Sequence, residues 1–395
     1  MPPPSVLFRG PGWRLPVPLA LGAPVEVRAV PRDRPAELGG LLSWLDSVAA
    51  SGRPELLAAG FLTYEAGVAI EGSLGLVREP ETPLAWFALF DLTAAAARRA
   101  PGDEPPPSPS APPPGAAGGE MTRPEWEAAV LEVREGIARG DVYQANLTRR
   151  VVRPCPVSAH RLADLLAEDN PVPWALLVET GEEAVVSNSP ELFLDLDLGS
   201  GRVSSAPIKG TVARRAGGSE RAARAMLLGS GKDAAEHLMI VDLIRNDLGR
   251  VCAAGSVHVP GFRTVRSFRH LHHLESTVAG SLRPGSRLSD VLGATLPGGS
   301  ITGAPKRAAL GFIRLLEPCA RGPYTGAAGY VRGDGTAVLN VAIRTAVVRG
   351  GEVAYHAGGG IVWDSDPALE WAETETKSRE FFRALAAAAR EREGA

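Results

Sequence analysis

After Thr122 the apolar residues Trp126, Ala129, Val130, Val133 and Ile137 recur at helical spacing. Thr122 and Glu125 form a capping-box pair ahead of them, and Gly140 suits the stop, so a helix is predicted there. The pattern then turns β-rich or alternating over 142–152, 174–180, 183–187 and 192–196. A second helix is predicted over Ala234–Leu248, with Asp233 as its cap and Gly249 past its end. Leu238, Met239, Ile240, Val241, Leu243, Ile244 and Leu248 make it apolar nearly all round, which predicts burial. It also carries Asp233, Glu236, Asp242, Arg245, Asn246 and Asp247, and charges on a buried helix need partners. Further strands are predicted near 330–332, 337–348 and 353–356, with turns at Asp334-Gly335 and Gly350-Gly351. Asp366-Pro367 opens a last helix. Long antiparallel strands with a few helices indicate an α+β fold, and no internal repeat is visible.

Residues 97–120 break the pattern with a run of Pro, Gly and Ser that reads as a linker or loop. It separates an N-terminal segment, 1–96, from a larger part, 121–395. The chain's 395 residues, 45% hydrophobic and 22% charged, suit a globular protein with a sizeable core. A net charge of −3 supplies no global field for nucleic acid or an anionic membrane, and 6% aromatics advertise no base-stacking platform. Cys155, Cys252 and Cys319 form no CxxC pair, which argues against a zinc knuckle, redox pair or disulfide framework and suits a reducing cytoplasm. The N-terminus lacks the form of a signal peptide, and no segment approaches a membrane helix.

Two helix starts carry paired acids, Asp233 with Glu236 and Glu370 with Glu373, each three apart on one face; Lys377 joins the second. If the two starts converge, the carboxylates need a hard cation such as Mg2+; the competing reading is helix capping with surface ion pairs. Lys209, between Pro207-Ile208 and Gly210, is either a partly desolvated nucleophile or an exposed loop lysine. LPGGSITGAPK offers backbone N–H groups to an anion but lacks the Gly-Lys of a P-loop, and AGGGIV at 357–362 is no dinucleotide fingerprint. On a continuous strand over 337–348, Asn340, Ala342 and Arg344 would share one face, so Arg344 is either solvated or grips a carboxylate. His270, His272 and His273 lack the cysteines or second histidine cluster of a metal site, which favours a hydrogen-bonding or acid/base histidine.

SNSPELF, PIKGT, DAAEHLMIVDLIRNDLGRV, HHLES, PGGSITGAPK, NVAIRT, AGGGIV and DSDPALEWAETETKS occur here in the order found in chorismate-utilising enzymes. The resemblance spans about residues 121–380 and is specific as a joint pattern. It implies one large α/β sandwich, two antiparallel sheets between outer helices, in which GFLTYEAGVAI belongs to the same body. By position, Glu236 and Glu373 match the family's Mg2+ ligands, and Asp233 and Glu370 the residues that hold its waters. Arg344 and Tyr330, with the backbone of Gly359 and Gly360, match the side of the pyruvyl carboxylate. Lys377, Thr302 and Thr211 match further substrate contacts, His273 the histidine beside the ring, and Glu191 the acid that protonates the departing C4 hydroxyl.

Lys209 marks the branch. Anthranilate-forming members usually carry alanine there, whereas PIKGT, with Asn146 of YQANL, resembles the branch that aminates C4 through a lysine adduct at C2. Isochorismate- and salicylate-forming members also carry the lysine, where it activates water. Glu191 must be protonated and Lys209 neutral for this chemistry, which predicts a closed, dry site. The sequence departs from the family pattern at Leu192, Val212, His237 and Trp363. No cysteine lies in a GxCxG turn, so the resemblance implies a separate glutaminase subunit that supplies ammonia.

Overall fold

The computed structural model describes residues 3–73, 78–94, 120–213, 219–229, 231–267 and 271–393. The predicted linker lies outside the described residues except for its last position, Glu120. Two large antiparallel sheets stack face to face, as the resemblance implies. The first has eight strands in the spatial order Gly303–Ala304, Gln144–Pro154, Glu352–Ile361, Thr345–Arg349, Ala184–Ser189, Trp174–Glu179, Ser5–Arg9 and Leu19–Gly22. The second has ten; its main path runs Ile208–Ala213, Leu271–Ser281, Arg202–Ala206, Leu192–Asp197, Thr336–Val341, Ala327–Gly333, Arg53–Leu62, Ala85–Asp91 and Glu26–Val30. His258–Ser267 pairs with Leu271–Ser281 off that path.

Strand alternation builds the layers. Val6 and Phe8 face the second sheet and pack with Leu57, Ala59, Phe61 and Val338, while Leu7, between them in sequence, faces outward. Helices Ala159–Asp169 and Pro367–Glu393 cover that outer face through Leu162, Leu166 and Phe381. Helices Leu38–Ala49, Gly231–Gly249 and Leu288–Thr295 cover the far face of the second sheet. Strands from the N-terminal segment enter both sheets, Ser5–Arg9 against Trp174–Glu179 and Arg53–Leu62 against Ala327–Gly333. No helix among the described residues is long and apolar enough to cross a membrane.

Local signals form where they are predicted. Helix Arg123–Arg139 starts at the Thr122–Glu125 capping box and ends at Gly140, whose φ of 83° is the left-handed stop. Asp366 caps Pro367–Glu393 by accepting from the N–H groups of Ala368 and Leu369 at 2.9 and 3.0 Å. Two expectations are corrected. The strand over 337–348 is two strands: Thr336–Val341 lies in the second sheet and Thr345–Arg349 in the first, with Arg344 between them at φ 50°. Helix Gly231–Gly249 is not buried all round, since Leu238 is 58% exposed while Ile240, Val241, Ile244 and Leu248 are buried.

Another short crossing between sheets falls at Pro190-Glu191, from Ala184–Ser189 into Leu192–Asp197. The crossings at Pro190-Glu191 and at Ala342–Arg344 lie side by side. Val341 N–H donates to the Glu191 carbonyl at 3.0 Å, and Ser189 Oγ donates to the Val341 carbonyl at 2.6 Å. Glu191 and Arg344 are therefore fixed at a place where neither sheet runs on.

Candidate active site

Strand Ile208–Ala213 slips register between Ile208 and Thr211, with Gly210 at φ 83°. Such a bulge re-aims the side chains beside it. Lys209 here ion-pairs with Glu236 of helix Gly231–Gly249, and Glu236 is only 5% exposed. The buried helix charges thus find partners: Asp247 holds Lys306 at 2.7 Å, and burial still pushes its carboxyl up to about 6.

Glu191 is 4% exposed, and burial raises its carboxyl to about 7. A hydrogen bond from Ser300 and the charge of Lys209 pull it down, and Glu275 pushes it up. Glu191 therefore keeps a proton to give near neutral pH. His273, on Leu271–Ser281, is lowered to about 4 by burial and by the charge of Arg344, against a hydrogen bond to the Gly210 backbone. Its ring is neutral at pH 7. Lys209 thus acts electrostatically on Glu191 and Arg344 on His273, and the His273 bond to the Gly210 backbone brings the imidazole to the residue next to Lys209.

The second acidic helix start forms its own group. Glu370 is buried and accepts from Ser365 Oγ at 2.6 Å. Lys377 Nζ bonds Glu373 at 2.7 Å and the Gly358 carbonyl at 2.8 Å. A Cβ on Gly359 would lie 3.4 Å from Glu370 Oε2, 3.6 Å from Lys377 Nζ and 3.8 Å from Glu373 Oε1, so these side chains converge over that glycine. The Gln144 amide lies where a side chain on Gly360 would project and would have to move aside for one. Among the described residues no three His, Cys, Asp or Glu side chains gather closely enough to hold a metal ion. The side chains of Asp233 and Thr211, and the whole of His270, lie outside the described residues.

Thr302 is fully buried and its hydroxyl donates to the Gly298 carbonyl at 2.8 Å, while its own carbonyl accepts from Asn146 N–H at 2.8 Å. Tyr330 stands apart from the group. It pairs with Ala59 and Val338 inside the second sheet, packs against Phe8 and Trp13, and donates its hydroxyl to the Trp13 carbonyl at 2.8 Å. Its phenol is committed to the inter-sheet core, which does not fit the substrate contact assigned to it from sequence.

Sequence reading missed the hub beneath the site. Arg321, 2% exposed, donates to both carboxylate oxygens of Glu317 at 2.6 and 2.9 Å. It also donates to the carbonyls of Ile301 at 2.9 Å and Asn146 at 2.6 Å, and its guanidinium lies 4.5 Å over the Tyr64 ring. Buried Glu65 accepts from the N–H groups of Arg321 and Gly322 at 2.8 and 3.0 Å. The hub thereby ties the loop before Thr302 to strand Gln144–Pro154. The only local signal is Glu317 four residues before Arg321, which a surface ion pair shares.

The model of the chorismate binding enzyme family matches residues 4–383, and the chain belongs to that family. Anthranilate synthase component 1 of Pseudomonas putida is 41% identical over 273 residues, 68% of this chain and 54% of that protein. Aminodeoxychorismate synthase component 1 of Escherichia coli is 39% identical over 266 residues, 67% of this chain and 58% of that protein. The matched part thus spans a little over half the length of these curated relatives. The crystal structure of anthranilate synthase component I from Streptococcus pneumoniae TIGR4 superposes with a TM-score of 0.76 at 26% identity, covering 96% of this chain and 92% of that one.

Proposed function

We propose that the chain is an aminodeoxychorismate synthase component I, which converts chorismate and ammonia to 4-amino-4-deoxychorismate. The observation that carries this reading is Lys209, paired with Glu236 and within the field of the protonated acid Glu191. In its neutral form the Lys209 amine bonds to C2 of chorismate. Both ring double bonds shift by one position and the C4–O bond breaks. Glu191 gives its proton to the departing hydroxyl, which leaves as water. Ammonia then bonds to C4, the C2–N bond breaks, and Lys209 leaves as the free amine. The surplus proton on the new amine returns to Glu191. Two easier displacements replace one difficult one.

Arg344, beside His273, is suited to a carboxylate of the substrate, and the neutral imidazole offers a hydrogen bond without adding charge. Glu236, Glu370 and Glu373 are all-oxygen donors of the kind Mg2+ prefers, so the donor chemistry fits, with Asp233 completing the set by position. The metal, when bound, would neutralise the substrate's ring carboxylate. In the described residues two of these acids are balanced by lysines, Glu236 by Lys209 and Glu373 by Lys377. A glutamine amidotransferase partner would supply ammonia; free ammonium at high pH should replace it.

The anthranilate reading is favoured by similarity: a relative of that name is 41% identical against 39% for the aminodeoxychorismate one, and the superposed crystal structure bears that name too. Mass spectrometry after incubation with chorismate, Mg2+ and ammonium separates the two. The expected product is 4-amino-4-deoxychorismate, which an added lyase converts to 4-aminobenzoate. Anthranilate formed without lyase would overturn the choice.

A further inference from the structure

A cavity of about 340 Å3 opens on the inner face of the eight-stranded sheet and has no part in the chemistry above. Its size is near the lower end of small-molecule pockets, roughly 300–1,000 Å3. Strand alternation separates it from the group at Glu370, Glu373 and Lys377. On Glu352–Ile361, Tyr355 faces outward and stacks on Phe381 at 4.2 Å, and Gly359 faces the Glu370 group. His356, of opposite parity, lines the cavity.

Two arginines from the strands on either side of Glu352–Ile361 line the same cavity and share one carboxylate. Arg150 Nη1 lies 2.6 Å from Glu81 Oε1, and Arg349 Nη2 lies 2.6 Å from Glu81 Oε2. Guanidinium forks match carboxylate geometry, so Glu81 marks where a carboxylate is held. Glu183 is a more distant neighbour, 3.8 Å from Arg349. Two further lining groups point to a ligand. His356 is 7% exposed and Thr82 3% exposed, yet His356 Nδ1 and Thr82 Oγ1 have no hydrogen-bond partner among the described residues. Leaving a buried polar atom unpaired costs ~1–3 kcal/mol, which an incoming polar group would recover. The His356 ring stacks on Tyr324 at 5.2 Å and 15°, which holds it in place against the cavity wall.

We propose that this cavity binds a small organic carboxylate, which replaces the Glu81 carboxylate between Arg150 and Arg349 and meets His356 Nδ1 and Thr82 Oγ1. The ligand makes no direct use of Lys209 or of the Glu370 group.

Benzoate, titrated calorimetrically into the full chain without chorismate or ammonium, tests this. One saturable site is expected. Glu81→Gln empties the arginine pair and should tighten binding by about tenfold, whereas Arg349→Gln removes a fork and should weaken it by at least about tenfold. Both side chains are more than a third exposed, so neither change removes core packing. Thr82→Val should weaken binding less. Absence of saturable binding to both the native chain and Glu81→Gln would overturn the proposal. So would binding that Arg349→Gln and Glu81→Gln leave unchanged, which would place benzoate at the chorismate site instead. None of these readouts depends on which product the enzyme makes.

Discussion

Lys209 and Glu236 form an ion pair that joins an edge strand of the second sheet to the helix covering that sheet. The pair fixes the amine that the proposed reaction uses as its nucleophile. It also lets a nearly buried carboxylate exist without substrate, since an unpaired charge there would be costly.

Lys209→Ala removes the attacking amine. The rate of 4-amination should fall by at least about a hundredfold, a barrier rise of ~3 kcal/mol. Some 2-amino product should appear in the space created. Because the change strips Glu236 of this partner, the melting temperature should drop, and Lys209→Ala with Glu236→Gln should recover much of it. Product analysis together with thermal denaturation checks both; an unchanged rate and product would remove the lysine from the chemistry.

Glu191 sets a pH limit. Its carboxyl sits at about 7 in the folded chain against an ordinary 4.5, so the folded state binds more protons between those values. Its contribution to stability is therefore fully present below about pH 4.5 and is lost as pH rises through about 7. Activity that needs the acid form should fall in the same direction above pH 7. Glu191→Gln should lower turnover by roughly 10²–10⁴-fold, abolish this limb of the kcat/KM profile, and melt relatively higher at pH 8 than at pH 5 when each is compared with the native chain.

Arg321→Lys keeps the charge but cannot reproduce the fork to Glu317 together with the Ile301 and Asn146 carbonyls. A loosened loop before Thr302 should cost up to about a hundredfold in kcat/KM. The loss should appear with the product unchanged, because no reacting group is touched. Steady-state kinetics and product identity, measured on folded protein, check it.

Tyr330→Phe deletes one hydroxyl whose partner is the Trp13 carbonyl. Stability should fall by ~1 kcal/mol in urea unfolding, while kcat and KM stay as they are. A raised KM for chorismate would return Tyr330 to the substrate site.

How legible the site was depends on the range of the signal. The Thr122–Glu125 box, the Gly140 stop and the Asp366 cap were readable because each completes its hydrogen bonds within a few residues. The motif strings marked Lys209, Glu191, His273, Glu236 and Glu373 as candidates, and order along the chain sufficed for that. The break at Ala342–Arg344 was not readable, because a period of two runs through 337–348 whether the chain stays in one sheet or changes to another. Tyr330 failed for a related reason: a tyrosine on a strand has one of two faces, and only its pairing with Ala59 and Val338 decided which.

The residue order alone thus settled the α+β class, the helix ends and the inventory of acids, bases and the lysine. Folding decided that Lys209 meets Glu236, that Glu191 is dry enough to stay protonated, and that Arg321 is a buried hub where a surface ion pair was equally consistent. These depend on burial and on contacts between residues far apart in the chain, such as Arg321 and Asn146, and no local pattern encodes the low-dielectric surroundings that such contacts create.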